Sequence, residues 1–506
     1  MKKILKIVML LMMVTLVAAG CKDKNGPEGA AKEYTVMYYG NGGANADVAL
    51  LNIVRQIYEA SPDAFKKVNV VAQYKFSTTE NLKSQGFADD MAAYAGSRMV
   101  RWKVNPSGTL DKDIAETGNY YGEPNADFTN PDSLANFINW ASKTYPAKKY
   151  VLIMNDHGGG YVPHNDLPYG QVQKKAPARG ILYDDGRGEA HFTVSSLRYA
   201  LEKANEHIET VLMVACLMNN MEYVFELKDV CDYYIAATYT VPATLASLHV
   251  LVNELSAQPN KIEKALANYC QATVAGWDEK QQANDTKPIY NDLTVTRMAK
   301  VNTLGAMLHE FTSRLCNVYA NGSDEQRSVI DSCTLGSFKV EESLPSYDIV
   351  KYTSMITEAM PEVYSKDFRE KLNNAFKACI VAQNYSSYLT AHEFMVDYSV
   401  MLATEGTYIL SIWKTVEGTK VPEIMAEYTP DGICDLYNLT QNAENPDYYD
   451  KEFMESRGSW GSTLADTYEQ LAFHQLTGWG QWLRLNKQQP TIFCLKDMNY
   501  ELPTPQ

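Results

Sequence analysis

Basic residues are scarce in this chain. Across 506 residues, 46 Lys and Arg stand against 61 Asp and Glu, and the formal net charge is −15. With no long basic run, the chain is a poor candidate for binding nucleic acid. Cysteine is also sparse: nine in so long a chain do not make a disulfide-stapled miniprotein. No internal repeat and no sustained low-complexity tract is present, and after the first twenty residues no apolar run is long enough to span a bilayer. Apolar content is ordinary at 45%, which excludes wholesale disorder and leaves ample core for two to four domains.

The amino terminus carries a targeting pattern. Lys2, Lys3 and Lys6 precede the apolar run 7–17, and Ala18-Ala19-Gly20 stands just before Cys21. A basic start, a short apolar stretch and small residues at a cut site describe a secretory signal peptide over residues 1–20. Cysteine directly after small residues looks like a bacterial lipobox. Cys21 is then the lipidated first residue, and residues 21–33 form a polar tether. An exported lipoprotein of the cell envelope or outer-membrane surface is expected, held to the membrane by that anchor only. Removing residues 1–20 takes three lysines and no acid, lowering the net charge from −15 to −18.

Farther on, short apolar runs alternate with helical periodicity. Residues 34–39, 68–72, 150–154 and 211–215 read as strands. Continuous rather than alternating apolar strands suit a sheet buried on both faces. Asn130-Pro131-Asp132 is a helix start, and Val194, Leu197, Leu201 and Ala204 mark a crossover helix between the last two strands. The expected fold class is α/β: a mostly parallel sheet flanked by helices, with an additional C-terminal α/β region. Residues 34–285 are expected to form the main domain and 286–506 a helical and mixed region packed on it. Gly40-Asn41-Gly42-Gly43 lacks the Lys-Ser/Thr of a phosphate loop and reads as a strand-to-helix turn.

Two strand ends carry chemistry-bearing residues. The strand ending at Met154 runs into Asn155-Asp156-His157-Gly158-Gly159-Gly160, and the strand from Val211 runs into Ala215-Cys216-Leu217-Met218. Open α/β sheets place their sites at such strand ends. A thiolate nucleophile and an imidazole that moves protons would suit peptide-bond cleavage. The helix read over residues 222–229 is expected to lower the Cys216 thiol pKa through its N-terminus. Amides after His157 and at Cys216 could stabilise an oxyanion.

Residues 150–159 and 214–232 resemble the clostripain family of cysteine peptidases, which share the caspase-like fold. His157-Gly158 and Ala215-Cys216-Leu217-Met218, with Glu222 on the following helix, are the residues that carry the resemblance. Residues 34–39 resemble its opening strand, and 409–413 and 476–479 weakly resemble C-terminal segments. The resemblance implies His157 as general base and acid, Cys216 as nucleophile, and the Gly158 and Cys216 amides as oxyanion donors. It implies a peptide or protein substrate and no cofactor; a monomer is expected. The family commonly has Asp two residues before the nucleophile to bind an Arg or Lys at P1, and here that residue is Val214. An apolar residue cannot pair with a cation. A relaxed or apolar P1 preference is therefore expected, with Asp184 or Asp185 as other sources of charge at the substrate site. Lys174, Lys175 and Arg179 lie in a polar, Pro-containing stretch that resembles the family's processing region.

Two other classes compete. A binding lipoprotein that keeps the fold without activity could use the 34 tyrosines and seven tryptophans. A metal-dependent hydrolase could use Asp156, His157, His164, Asp166, Asp184 and Asp185, although their spacing matches no metal signature and no metal site is expected. Glu222 reads as structural. Beyond Cys21 and Cys216, seven cysteines remain. That odd number cannot all pair, so several are expected to be buried free thiols.

Overall fold

The computed structural model describes residues 30–84, 98–161, 181–184, 190–242, 245–284, 290–341, 346–402, 410–416, 419–426, 436–438, 468 and 471–485. Its strands up to residue 402, in chain order, are β1 (Lys32–Asn41), β2 (Val68–Lys75), β3 (Met99–Lys103), β4 (Asn119–Tyr121), β5 (Ala147–Asn155), β6 (Ile181–Asp184), β7 (Ala190–Phe192), β8 (Ile208–Val214), β9 (Cys231–Ala236), β10 (Asp292–Arg297), β11 (Lys339–Glu341), β12 (Ser346–Asp348), β13 (Ile380–Tyr385) and β14 (Ser399–Met401). Nine of them form one sheet in the order β13-β10-β9-β8-β5-β1-β2-β3-β4.

The five central strands, β9-β8-β5-β1-β2, are parallel. Antiparallel strands extend both sides. The sheet is thus mixed, with its parallel part confined to the centre.

Alternation along each central strand sends side chains to two separate cores. Met37, Tyr39, Leu152, Met154, Val211 and Met213 pack on one face with the helices Pro131–Thr144, Val194–Lys203, Met221–Leu227 and Val301–Asn321. Val36, Tyr38, Val151, Ile153, Leu212 and Val214 pack on the other with the helices Gly43–Ile57, Leu248–Ala257 and Ile262–Asn284. Burial of both faces is why these strands read as unbroken apolar runs. Local signals set the helix starts. The Asn130 side chain accepts from Asp132 N–H at 2.9 Å, with Pro131 in the first turn, and Thr193 accepts from Ser196 N–H at 3.0 Å.

Residues 292–315 divide in two. Asp292–Arg297 is strand β10, and the helix begins at Val301. β10 and β13 both lie beyond residue 285 and both complete the main sheet. Among the described residues, Cys216, Cys231, Cys270, Cys316, Cys333 and Cys379 are free thiols. Cys21, Cys434 and Cys494 lie outside them.

Glu222 ties the sheet to the C-terminal segments. Its Oε1 accepts from Met401 N–H and from the Tyr468 hydroxyl, each at 3.0 Å. On the same helix, Glu226 accepts from Ala472 N–H at 2.8 Å and pairs with Arg198 at 3.1 Å. Burial pushes the Glu222 carboxyl up from 4.5 to about 7, against hydrogen bonds that lower it. The folded chain therefore holds this proton more tightly than the unfolded chain. The resulting stabilisation, about 3 kcal/mol, is complete below pH 4.5 and is lost as pH rises through about 7. Glu222→Gln keeps the oxygen that accepts both bonds and removes the ionisation. Its melting temperature is expected to vary less between pH 4.5 and 7 than that of the wild type. An unchanged slope would show that Glu222 is not the source.

Candidate active site

β5 and β8 are neighbours in parallel register, and their last pair is Asn155 opposite Val214. The Asn155 amide donates to the Val214 carbonyl at 2.8 Å, while the Tyr38 hydroxyl donates to the Asn155 side-chain oxygen. The chain leaves both strands at this level, so the loop 156–160 and the loop 215–220 start side by side.

Gly158 fits the contact between the two loops because it has no side chain. A Cβ there would lie 2.2 Å from the Cys216 carbonyl oxygen and 2.7 Å from the Cys216 nitrogen, both backbone atoms that cannot swing away. The backbones of the two expected oxyanion donors are therefore in direct contact. His157 is exposed and Cys216 partly exposed, so both are open to solvent at one strand-end edge. Asp156 is buried; it accepts from His157 N–H at 2.7 Å and from the Asn41 amide at 3.2 Å. It thus fixes the backbone at His157 to the end of β1.

The surroundings of Cys216 come from elsewhere in the chain. Val241 N–H donates to Cys216 Sγ at 3.2 Å. Leu217 takes φ +64°, a left-handed conformation that a branched side chain adopts only under constraint. Its N–H donates to Tyr239 O, and Asn219 N–H donates to Ala237 O, both at 2.9 Å. The turn after β9 thus grips the turn after β8.

Burial pushes the Cys216 thiol up, and the Val241 N–H opposes that shift. This corrects the expectation that a helix N-terminus would lower it. The helix Met221–Leu227 starts five residues later, and the Asn220 side chain accepts from Tyr223 N–H at 3.0 Å, so its first turn is capped within the chain.

The remaining site candidates divide. Val214 is buried in the second core and brings no charge to the strand end. Asp184 ends β6, opposite Ala190 of β7. Asp185, Lys174, Lys175, Arg179, His164 and Asp166 lie outside the described residues. Among the described residues, no group of three His, Cys, Asp or Glu side chains is placed to hold a metal ion. Sequence reasoning missed the contributions of Val241 and Asn219. The signal available was that Ala237-Thr238-Tyr239 follows the next strand.

The description of the clostripain family matches residues 97–470. The chain belongs to the clostripain family of cysteine peptidases. Clostripain of Hathewaya histolytica is 26% identical over 223 residues, covering 41% of this chain and 37% of that protein. The match therefore spans little more than a third of that relative's length. Among solved structures, the secreted C11 cysteine protease "iotapain" of Bacteroides thetaiotaomicron superposes with a TM-score of 0.52 at 14% identity, covering 71% of this chain and 88% of that one. A secreted C11 cysteine protease of the same organism, in complex with an irreversible peptide inhibitor, gives 0.51 at 14% identity, covering 88% of this chain and 99% of that one. At such identity these likenesses establish the clostripain-type fold. No helix among the described residues is long and apolar enough to cross a membrane.

Gly158→Ala tests the contact between the loops. The added methyl must force the 156–160 and 215–220 loops apart, at a cost of about 1–3 kcal/mol. The melting temperature is expected to fall, and labelling of Cys216 by a thiol-reactive peptide probe to slow at least about ten-fold. Wild-type values for both would mean that the loops are not packed in this way.

Proposed function

We propose that this chain is a cysteine endopeptidase in which Cys216 is the nucleophile and His157 moves the protons. The observation that carries this reading is the contact of Gly158 with the Cys216 backbone, at adjacent strand ends, in a chain of the clostripain family. His157 takes the thiol proton, and Sγ attacks the scissile carbonyl carbon. The amides of Gly158 and Cys216 receive the developing oxyanion, and the imidazolium gives its proton to the departing amine. Water then attacks the thioester, with His157 acting as base, and releases Cys216. The irreversible peptide inhibitor bound to a protein of the same fold supports peptides as the substrate class.

At P1, the preference is relaxed or apolar. Val214 stands where the family commonly has an acid, and its burial in the second core leaves no carboxylate there to meet a cation. Cys21 is proposed as a lipidated first residue that anchors an exported enzyme. The 174–179 stretch is proposed as a processing site.

Digestion of a peptide library with the wild type and Cys216→Ala tests the reaction. Cys216→Ala is expected to abolish cleavage, and His157→Gln to lower kcat by about 10²–10⁴-fold. A probe that labels no cysteine preferentially, with no cleavage of any peptide, would favour a binding protein instead. Leu- and Ala-P1 peptides are expected to be cut faster than Arg-P1 peptides; a dominant Arg rate would refute the P1 assignment. Intact mass of the active protein and of Cys216→Ala should show a cut within 174–179 only where the thiol is present.

A further inference from the structure

Asp292 opens strand β10, more than seventy residues after Cys216, and is completely buried. Its carboxylate faces the turn after β9. Thr238 N–H donates to its two oxygens at 2.9 and 3.0 Å, and Tyr239 N–H donates to one of them at 2.9 Å. The same turn receives Leu217 N–H and Asn219 N–H through its carbonyls, and it presents Val241 N–H to Cys216 Sγ. Asn219 adds a second tie, donating to the Thr238 hydroxyl at 2.9 Å and to Asp397 O at 2.8 Å.

We propose that Asp292 is a positioning residue for the reaction: by clamping the 238–239 backbone, it places the Val241 N–H that serves the Cys216 sulfur. The proposal rests on the reading of Cys216 as nucleophile. A buried carboxylate is costly to keep ionised, and two backbone N–H groups with the Thr238 hydroxyl are the compensation. These donors need an acceptor. Burial pushes the Asp292 carboxyl up to about 6, against these hydrogen bonds. Below that pH the carboxyl is protonated, and one oxygen carries a proton of its own instead of accepting. The clamp is then weaker.

Several groups face Asp292. Tyr239, Tyr385 on β13 and Cys270 on the helix Ile262–Asn284 all feel its charge, which adds to the burial that raises each of them. Asp348 acts on Tyr239 and Tyr385, and Asp397 acts on Tyr385 and on Asp348. Asp348 is itself pushed up to about 7, first by burial. Tyrosine and a buried thiol stay neutral around pH 6, so the groups that change charge there are the carboxyls.

The test follows iodoacetamide alkylation of Cys216 by mass spectrometry of its peptide, in the full chain, across pH 5–9. Cys316 is partly exposed on the helix Val301–Asn321, packed against the first core, and serves as the internal reference. In Asp292→Asn, Cys216 is expected to alkylate about ten-fold more slowly at pH 7.5, with its midpoint moved up, while Cys316 keeps its rate. Hydrolysis of a peptide should lose kcat with little change in KM. Wild-type alkylation of Cys216 in a folded Asp292→Asn, or a matching change at Cys316, would overturn the proposal.

A wild-type measurement decides the matter even if the variant does not fold. The Cys216 rate divided by the Cys316 rate, from which thiolate ionisation cancels, should still fall as the pH drops below about 6. A ratio that stays flat through that range would overturn the proposal. Failure of the functional reading is separate: it would appear as hydrolysis that survives in Cys216→Ala, whatever the alkylation profile.

Discussion

Parallel pairing of β5 with β8 places Asn155 opposite Val214 and joins them by the 2.8 Å bond from the Asn155 amide to the Val214 carbonyl. The arrangement of the site follows from that register. A slip of one residue would turn Met154 and Met213 from one core into the other and carry His157 and Cys216 to mismatched heights. The register is held because both faces of the sheet are buried and each strand contributes alternate side chains to two full cores. Gly158 reports the same constraint at atomic scale, since no larger residue fits against the Cys216 backbone.

Around this centre, long-range polar ties take over from strand pairing. The turn after β8 is held by the turn after β9, which is in turn clamped by Asp292. Ser399 N–H donates to Asn219 O at 3.2 Å, and Glu222 accepts from Met401 and Tyr468. Each buried acid raises the free energy of the ionised fold and offsets part of that cost with N–H or O–H donors. Replacing them with apolar groups would leave those donors unpaired. The segments beyond residue 285 are thus bound to the strand-end edge by hydrogen bonds as well as by the sheet.

This explains how the molecule divides its work. Val151, Leu152, Val211 and Leu212 provide packing and register, whereas irregular backbone at the strand ends provides donors. Leu217 at φ +64° is a constrained point of that backbone, and it lies next to Cys216 with its N–H held by Tyr239 O. Strain of this kind persists only where surrounding contacts over-determine the conformation.

Local chemistry was sufficient to read much of this from the sequence. Unbroken apolar runs marked β1, β2, β5 and β8, Asn130-Pro131-Asp132 marked a helix start, Val194, Leu197, Leu201 and Ala204 marked the crossover helix, and the positions of His157 and Cys216 followed from the ends of those runs. Within residues 292–315, Leu293 and Val295 alternate like a strand just ahead of helical periodicity, and sheet pairing decides which pattern governs each part. The antiparallel edges, the burial of Val214, the Val241 N–H on the Cys216 sulfur and the Asp292 clamp were decided by tertiary structure alone. The pairings and polar ties among these join residues 18 to 93 positions apart, and no spacing rule for a helix or strand reaches that far. The sequence by itself determined which side chains could do the chemistry. Folding decided which distant backbone groups surround them, because only packing of the whole sheet brings those groups within hydrogen-bond range.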